Sequence, residues 1–458
     1  MSKPLTIFLT TWNTGLQGSK AQSQDLTSWL LPVLQRTAQD AGMSDDDGAR
    51  APPDIYAIGV QELLPVNLAR DTYYHADNIF AGLTAPVVSS LTTRIQSLLS
   101  SHATSLSPSR TPENYLLVSR VSHGGNALWV FAREATMAGR MGKCLTSRLG
   151  LWWGCMGNKG AVGVRLEVRR GETSGWETLT FVCTHLEAYD KNVPRRNTQF
   201  QNILSSLLFT SSDPLSTPYQ ITDTSHLFVI GDLNYRLARL PHLVTGEPRE
   251  NPGDAGVTNR AEAVELEKER ADMLELDTLR REQKEGRVFG GLREGKLEGF
   301  APTYKRVVGQ VEGYSRKRIP GWTDRILFAS HTDASSSAPT TKILTYTSTP
   351  ALTISDHKPV HCVLSLPPAT HSAQSPSLAP TLPAAGPPHT PVPAPISREA
   401  LFFWRLLGSI LDKLIGWPWS LLVLMGAGNL KAGMGVGAFS AMVWGVWWMG
   451  IIGGNWSA

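Results

Sequence analysis

Across its first 366 residues the chain alternates short runs rich in Val, Ile, Phe and Thr with longer helix-periodic stretches, and several runs end in a polar cluster. This alternation limits the fold more than any other feature. The runs Leu5–Trp12, Ile55–Gln61, Ala127–Arg133, Ala161–Val168, Thr178–His185, Leu227–Gly231, Arg325–Phe328 and Pro359–Leu366 read as strands. Ser23–Asp40, Val87–Ser100, Arg195–Phe209 and Asn259–Glu285 read as helices. The last is laced with Glu and Lys/Arg at helical spacing, the mark of a solvated face. Mixed strands with helices between them predict an α/β fold of two packed sheets flanked by helices.

Composition divides the chain into three zones. The first carries the alternation. Residues 367–397 hold ten of the 30 prolines and almost no charge, so they read as an extended spacer without a core of its own. Residues 398–458 are strongly apolar, and Ala432–Gly454 has no charged residue over 23 positions. That length suffices to cross a hydrocarbon layer of about 30 Å. Trp444, Trp447, Trp448 and Trp456 cluster toward its far end as interfacial aromatics do. The expectation is a C-terminal membrane segment with one span at 432–454 and an interfacial helix or half-hairpin at 401–428, tethering a cytosolic catalytic region. The net charge of +4 argues against a bulk polyanion-binding surface. Four scattered cysteines exclude a disulfide scaffold and a cysteine-based zinc site, and fit a reducing compartment.

The polar clusters are Trp12-Asn13, Gln61-Glu62, Thr184-His185, Gly231 to Asn234, Thr323 to Arg325, and Ser355 to Pro359. Any one of them could be a strand cap or turn. Six from separate regions are harder to assign that way, because loops at strand ends are where sites are built. Carboxylates, amides and histidines without a cysteine cluster suit a hard cation such as magnesium.

The motifs GDLNYRL (231–237) and PGWTDRIL (320–327) resemble the two signatures of the inositol polyphosphate 5-phosphatases, of the endonuclease/exonuclease/phosphatase superfamily. TTWNTG (10–15), GVQE (59–62), GNKGAV (157–162), FAPTYK (300–305) and SDHKPV (355–360) follow that family's order and spacing. The resemblance implies a four-layer sandwich and Mg2+-dependent hydrolysis of a phosphate monoester. By the same resemblance Glu62 and Asn13 would hold the metal. Asp232 would align or deprotonate the attacking water, Asn234 would position it, and His357 and His185 would donate to phosphate oxygens. Asp324 would orient His357, and Asp356 would contact metal or water. Lys159 would touch the scissile phosphate, Tyr304, Lys305, Arg316 and Arg318 the neighbouring 4-phosphate, and Asn158 would also bind substrate. The implied substrate is a phosphoinositide lipid, phosphatidylinositol 4,5-bisphosphate. The zone order resembles that of the tail-anchored 5-phosphatases of the fungal endoplasmic reticulum.

Two positions depart from the family pattern. Tyr189 stands where a histidine is usual, and Gly321 where Ala or Ser is usual. A phenol donates a hydrogen bond but carries no imidazolium charge. Other readings stay open at this point: a nuclease or sphingomyelinase on the same scaffold, or an inactive phosphoinositide-binding tether. No extended basic, aromatic-interleaved surface favours nucleic acid.

Overall fold

The computed structural model describes residues 4–15, 27, 29–40, 52–63, 84–106, 111–152, 156–171, 174–211, 213, 216–238, 260–315, 318–334, 339–367, 378 and 392–424. Eleven strands are present among them: β1 Leu5–Asn13, β2 Ile55–Gln61, β3 Tyr115–His123, β4 Asn126–Arg133, β5 Met141–Trp152, β6 Met156–Arg169, β7 Trp176–His185, β8 His226–Asp232, β9 Asp324–Ser330, β10 Lys342–Ser348 and β11 Val360–Leu366. The longer helices are α1 Leu30–Asp40, α2 Thr84–Leu106, α3 Val193–Ser206, α4 Arg260–Leu274, α5 Thr278–Lys284 and α6 Arg398–Leu424.

The strands form a six-stranded sheet, in the order β10-β11-β1-β2-β4-β3, and a five-stranded sheet, β5-β6-β7-β8-β9. Successive side chains along a strand point to opposite faces, and this alternation sorts the core into layers. Leu5, Ile7 and Leu9 of β1 meet Leu179, Phe181 and Cys183 of β7 and Phe228 and Ile230 of β8 between the sheets. Phe8 and Trp12, on the other face of β1, pack with Tyr56 and Trp129 against Leu30, Val33, Leu91, Ile95 and Leu99 of α1 and α2. Val182, Leu227 and Val229 pack against Phe200, Ile203 and Leu204 of α3. The result is two mixed sheets packed together and flanked by helices, as the sequence predicts.

All eight expected strands are present. β3, β5 and β10 are additional, and each lies at a sheet edge. Edge strands mix polar with apolar residues, so their apolar runs are broken. The long helix expected over Asn259–Glu285 is two helices. Asp277 interrupts it by capping α5, its side chain accepting from the Arg280 N–H at 2.9 Å.

Register assembles the site. In parallel β1 and β2, Asn13 lies beside Gln61. In parallel β7 and β8, His185 lies beside Asp232, which in turn faces Asp324 of antiparallel β9. The polar ends therefore gather at one rim of the two sheets. Gly231 is required there: a Cβ at its φ of 150° would lie 1.9 Å from the Thr184 carbonyl oxygen.

The C-terminal zones correct the sequence reading. Among the described residues, no helix is long and apolar enough to cross a membrane. The predicted span at 432–454 lies outside those residues. The expected membrane segment, the membrane as a partner and the endoplasmic-reticulum location lose their support with this finding, as does the tail-anchored likeness. The expectation took residues 367–397 as an extended spacer. Instead, Leu378 is buried among α3 and sheet residues, its N–H donating to the Thr224 carbonyl at 2.7 Å. The Ile396 N–H donates to the Ser205 carbonyl at 3.0 Å. Leu401 of α6 is buried, and Arg405 donates to Ser147 Oγ of β5 at 3.3 Å. The described part of the proline-rich run is thus a strap laid along the sandwich, with α6 docked on β5 and β6.

Candidate active site

Asp232 is at the centre. Asn13 Nδ2 donates to its Oδ2 at 3.0 Å, as does Asn234 Nδ2 at 3.1 Å, while the Asn234 N–H donates to Oδ1 at 3.0 Å. His185 Nε2 is 3.3 Å from Oδ2, and His357 Nε2 is 4.0 Å from it. Burial alone would push this carboxyl up. The hydrogen bond from His185 and the positive charges of His357, His185 and Lys159 outweigh burial and hold Asp232 well below the usual carboxylate range.

Asp324 serves His357. His357 Nδ1 lies 2.9 Å from Asp324 Oδ2, which also accepts from Thr303 Oγ1 at 2.7 Å and Thr323 Oγ1 at 3.1 Å. Burial opposes charge on the imidazole, but the Asp324 carboxylate, with Asp232 and Asp356, pushes His357 up to about 9. Arg325, adjacent in sequence, points to the opposite side of β9. It pairs with Asp277 at 3.0 Å and with Glu294, so its charge is taken up away from Asp324.

Glu62 follows β2 with a φ of 50° and brings Oε1 to 3.8 Å from His185 Nε2. Lys159 of β6 presents its ammonium to the same imidazole, 3.3 Å from Nδ1 and closer still to Nε2. Burial lowers the pKa of Lys159, against the pull of Glu62, Asp232 and Glu187. Three ligand-competent groups, Asp232, Asp324 and His357, lie with one donor atom each within 4.8 Å of one another. Glu62 and Asn13, expected as metal ligands, stand beside this cluster on the Asp232 side. An oxygen-rich donor set with carboxylates and an amide fits a hard divalent cation.

The rim is cationic. The Tyr304 ring lies 4.5 Å from that of His357, with Arg236 4.8 Å and Lys305 5.4 Å from its centroid. Lys305 Nζ donates to Asp356 Oδ2 at 2.7 Å, which ties the Asp356 carboxylate to the rim lysine. Arg318 is part-exposed nearby. Arg316 lies outside the described residues, and of Asn158 only its place in β6 is described.

Three supporting residues escape sequence reasoning. Arg236 donates to Asn234 Oδ1 at 3.0 Å and pairs with Asp190 at 3.4 Å, tying two loops together. The basic residue two places after Asn234, within GDLNYRL, is the signal that could reveal it. Thr303 and Thr323 lie inside FAPTYK and PGWTDRIL with nothing in the pattern to mark their role: both donate to Asp324, Thr303 across 21 residues and Thr323 from the adjacent position.

This rim of carboxylates, imidazoles and amides is held by residues spread over almost the whole sandwich, and so is the family match. The profile of the Endonuclease/Exonuclease/phosphatase family 2 matches residues 10–363. The chain belongs to that family. It is 30% identical over 353 residues to the type I inositol polyphosphate 5-phosphatase 8 of Arabidopsis thaliana, covering 71% of this chain and 64% of that protein. It is 30% identical over 372 residues to the phosphatidylinositol 3,4,5-trisphosphate 5-phosphatase 1 of Rattus norvegicus, covering 78% of this chain and 25% of that one. The chain thus matches less than two thirds of the length of either relative. Among solved structures, the inositol polyphosphate 5-phosphatase domain of a synaptojanin, in complex with inositol (1,4)-bisphosphate and a calcium ion, superposes with a TM-score of 0.53. It is 20% identical and covers 92% of this chain and 94% of that one, a likeness of fold. Family homology and the metal-competent cluster together support hydrolase activity.

Proposed function

We propose that the protein is a magnesium-dependent phosphoinositide 5-phosphatase, with residues 1–366 as its catalytic unit. In this reading it removes the 5-phosphate of phosphatidylinositol 4,5-bisphosphate, yielding phosphatidylinositol 4-phosphate and orthophosphate. The observation that carries the reading is the meeting of Asp232, His185, His357 and Glu62 beside the rim of Tyr304, Lys305 and Arg318. The first group suits hydrolysis at phosphorus, and the second suits a phosphate on the neighbouring carbon. The choice of a lipid follows the phosphatidylinositol substrate named for the rat relative.

Glu62 and Asn13 would hold the Mg2+, which supplies charge neutralisation at the phosphate oxygens. Asp232 stays ionised through neutral pH and accepts the proton of the attacking water. Asn234, locked to Asp232 and to the Leu186 carbonyl, orients that water. His357, kept cationic by Asp324, donates from Nε2 to a non-bridging phosphate oxygen. His185 and Lys159 offset the remaining charge. Phosphoryl transfer demands mostly positioning and electrostatic stabilisation, which such a set provides.

The test is orthophosphate release from dioctanoyl phosphatidylinositol 4,5-bisphosphate by the full chain, with Mg2+ and with excess chelator. The expected outcome is chelator-sensitive release with phosphatidylinositol 4-phosphate as the lipid product. Nicking of plasmid DNA under the same conditions, without phosphate release from the lipid, would overturn the proposal.

A further inference from the structure

Tyr189 lies four residues beyond β7 in a backbone conformation that few residues with side chains adopt, φ 75° and ψ 145°. Such a conformation costs about 1–3 kcal/mol and persists only where the surroundings over-determine it. Here they do. Arg196, fully buried in α3, donates from Nη1 to the carbonyls of Glu187 at 2.9 Å and Tyr189 at 2.8 Å. Asn192 donates from its N–H to the Tyr189 carbonyl at 3.2 Å, and from Nδ2 to the Ala188 carbonyl at 2.7 Å. Gln199 Oε1 accepts from the Glu187 N–H at 2.8 Å. A buried cation and two amides therefore fix three consecutive loop residues.

The side chain held this way is 53% exposed, so no core packing accounts for the arrangement. The Tyr189 ring faces Arg318 instead, with the guanidinium carbon 5.5 Å from the ring centroid, inside cation–π range. The charge of Arg318 is felt at Lys305 on the same rim. The next loop residue, Asp190, accepts from Arg236, which lies over Tyr304. The loop is thus tied to both sides of the cationic rim.

We infer that Tyr189 is a positioning residue for Arg318. Its ring braces the guanidinium toward the phosphate adjacent to the scissile one, and so sets how strongly a vicinal bisphosphate is preferred over an isolated phosphate. The inference rests on the phosphatase reading above. A free arginine side chain loses rotamer entropy when it is fixed, and bracing it before substrate arrives reduces that loss on binding. A phenol brings no charge of its own, so its effect falls on substrate discrimination and not on the chemical step.

The test is steady-state kinetics of the full chain with Mg2+ on two soluble head groups, inositol 1,4,5-trisphosphate and inositol 1,5-bisphosphate. Tyr189→Ala raises KM for the trisphosphate about 2–5-fold, the equivalent of one exposed cation–π contact, and leaves kcat within twofold. KM for the 1,5-bisphosphate stays unchanged. Tyr189→Phe keeps the ring and restores the wild-type ratio. In an Arg318→Ala background, Tyr189→Ala changes the ratio no further. An equal rise in KM for both compounds, a loss confined to kcat, or failure of Phe to restore the ratio would overturn the role of Tyr189 alone. Absence of turnover in the wild-type protein would remove the phosphatase reading and this inference with it.

Discussion

Substituting Asp324 by Asn isolates the electrostatic work done on His357. The carboxamide keeps the shape and an acceptor oxygen for Thr303 and Thr323, and removes the charge that sits 2.9 Å from Nδ1. His357 is raised from an ordinary 6.5 to about 9. That rise favours the imidazolium by about 3 kcal/mol. At pH 7.5 a group of pKa about 9 is about 97% cationic, whereas one at 6.5 is about 10% cationic. Burial pulls the imidazole lower still once the carboxylate is gone. If turnover needs the cation, Asp324→Asn loses at least about tenfold in kcat at pH 7.5 from this cause alone. The sign follows from a raised pKa. In the wild-type protein, activity falls as pH rises through about 9. In the variant the basic limb moves to neutral pH or below, and activity recovers on acidification. The contribution of the His357 charge to stability is full below about 6.5 and is lost as pH rises through about 9. Phosphate release between pH 5.5 and 10, with imidazole proton shifts read by NMR, measures both sides. A variant whose basic limb stays near pH 9 would refute the assignment of His357 as the cationic donor.

Three further outcomes follow from the same geometry. Asp232→Ala should lower kcat by about 10²–10⁴ with head-group KM little changed, as for a lost general base; near-normal turnover would take Asp232 out of the mechanism. Arg325→Met leaves Asp277 and Glu294 buried and unpaired, so it should lower the unfolding free energy by about 3–5 kcal/mol in urea titration, and a change below about 1 kcal/mol would contradict the pairing. Leu378→Ala should weaken docking of the strap by about 2 kcal/mol or more and speed proteolytic cleavage within 367–397 by about 30-fold, whereas a free spacer would show no change.

What the sequence made legible was what recurs locally. Fully buried strands such as β2 and β8 are apolar on both faces, so they stand out as continuous runs. β5 interleaves Lys143, Ser147 and Arg148 with its apolar residues, because one long side of an edge strand faces no neighbouring strand. The site was legible for a related reason. Asn13, Glu62, His185, Asp232 and Asp324 sit at or just beyond the ends of strands whose registers align, so a list of polar strand ends is already most of a list of site residues. The residues that hold them were not legible. Arg196 reaches from a helix to the carbonyl of Tyr189, seven positions back, and Thr303 reaches Asp324 across 21 residues of chain. Neither relation leaves a periodicity. The strap failed for the opposite reason: proline content describes what a segment cannot do alone and says nothing of a groove elsewhere that receives Leu378 and Ile396. A buried arginine therefore carries more information than its frequency suggests. Arg196 and Arg325 are each almost wholly enclosed, and each spends guanidinium N–H groups on fixed acceptors, Arg325 on Asp277 and Glu294 and Arg196 on the carbonyls of Glu187 and Tyr189. In Arg196 those donors fix the loop that presents the exposed Tyr189 ring to the cationic rim, so a charge sealed in the interior sets the geometry of one at the surface.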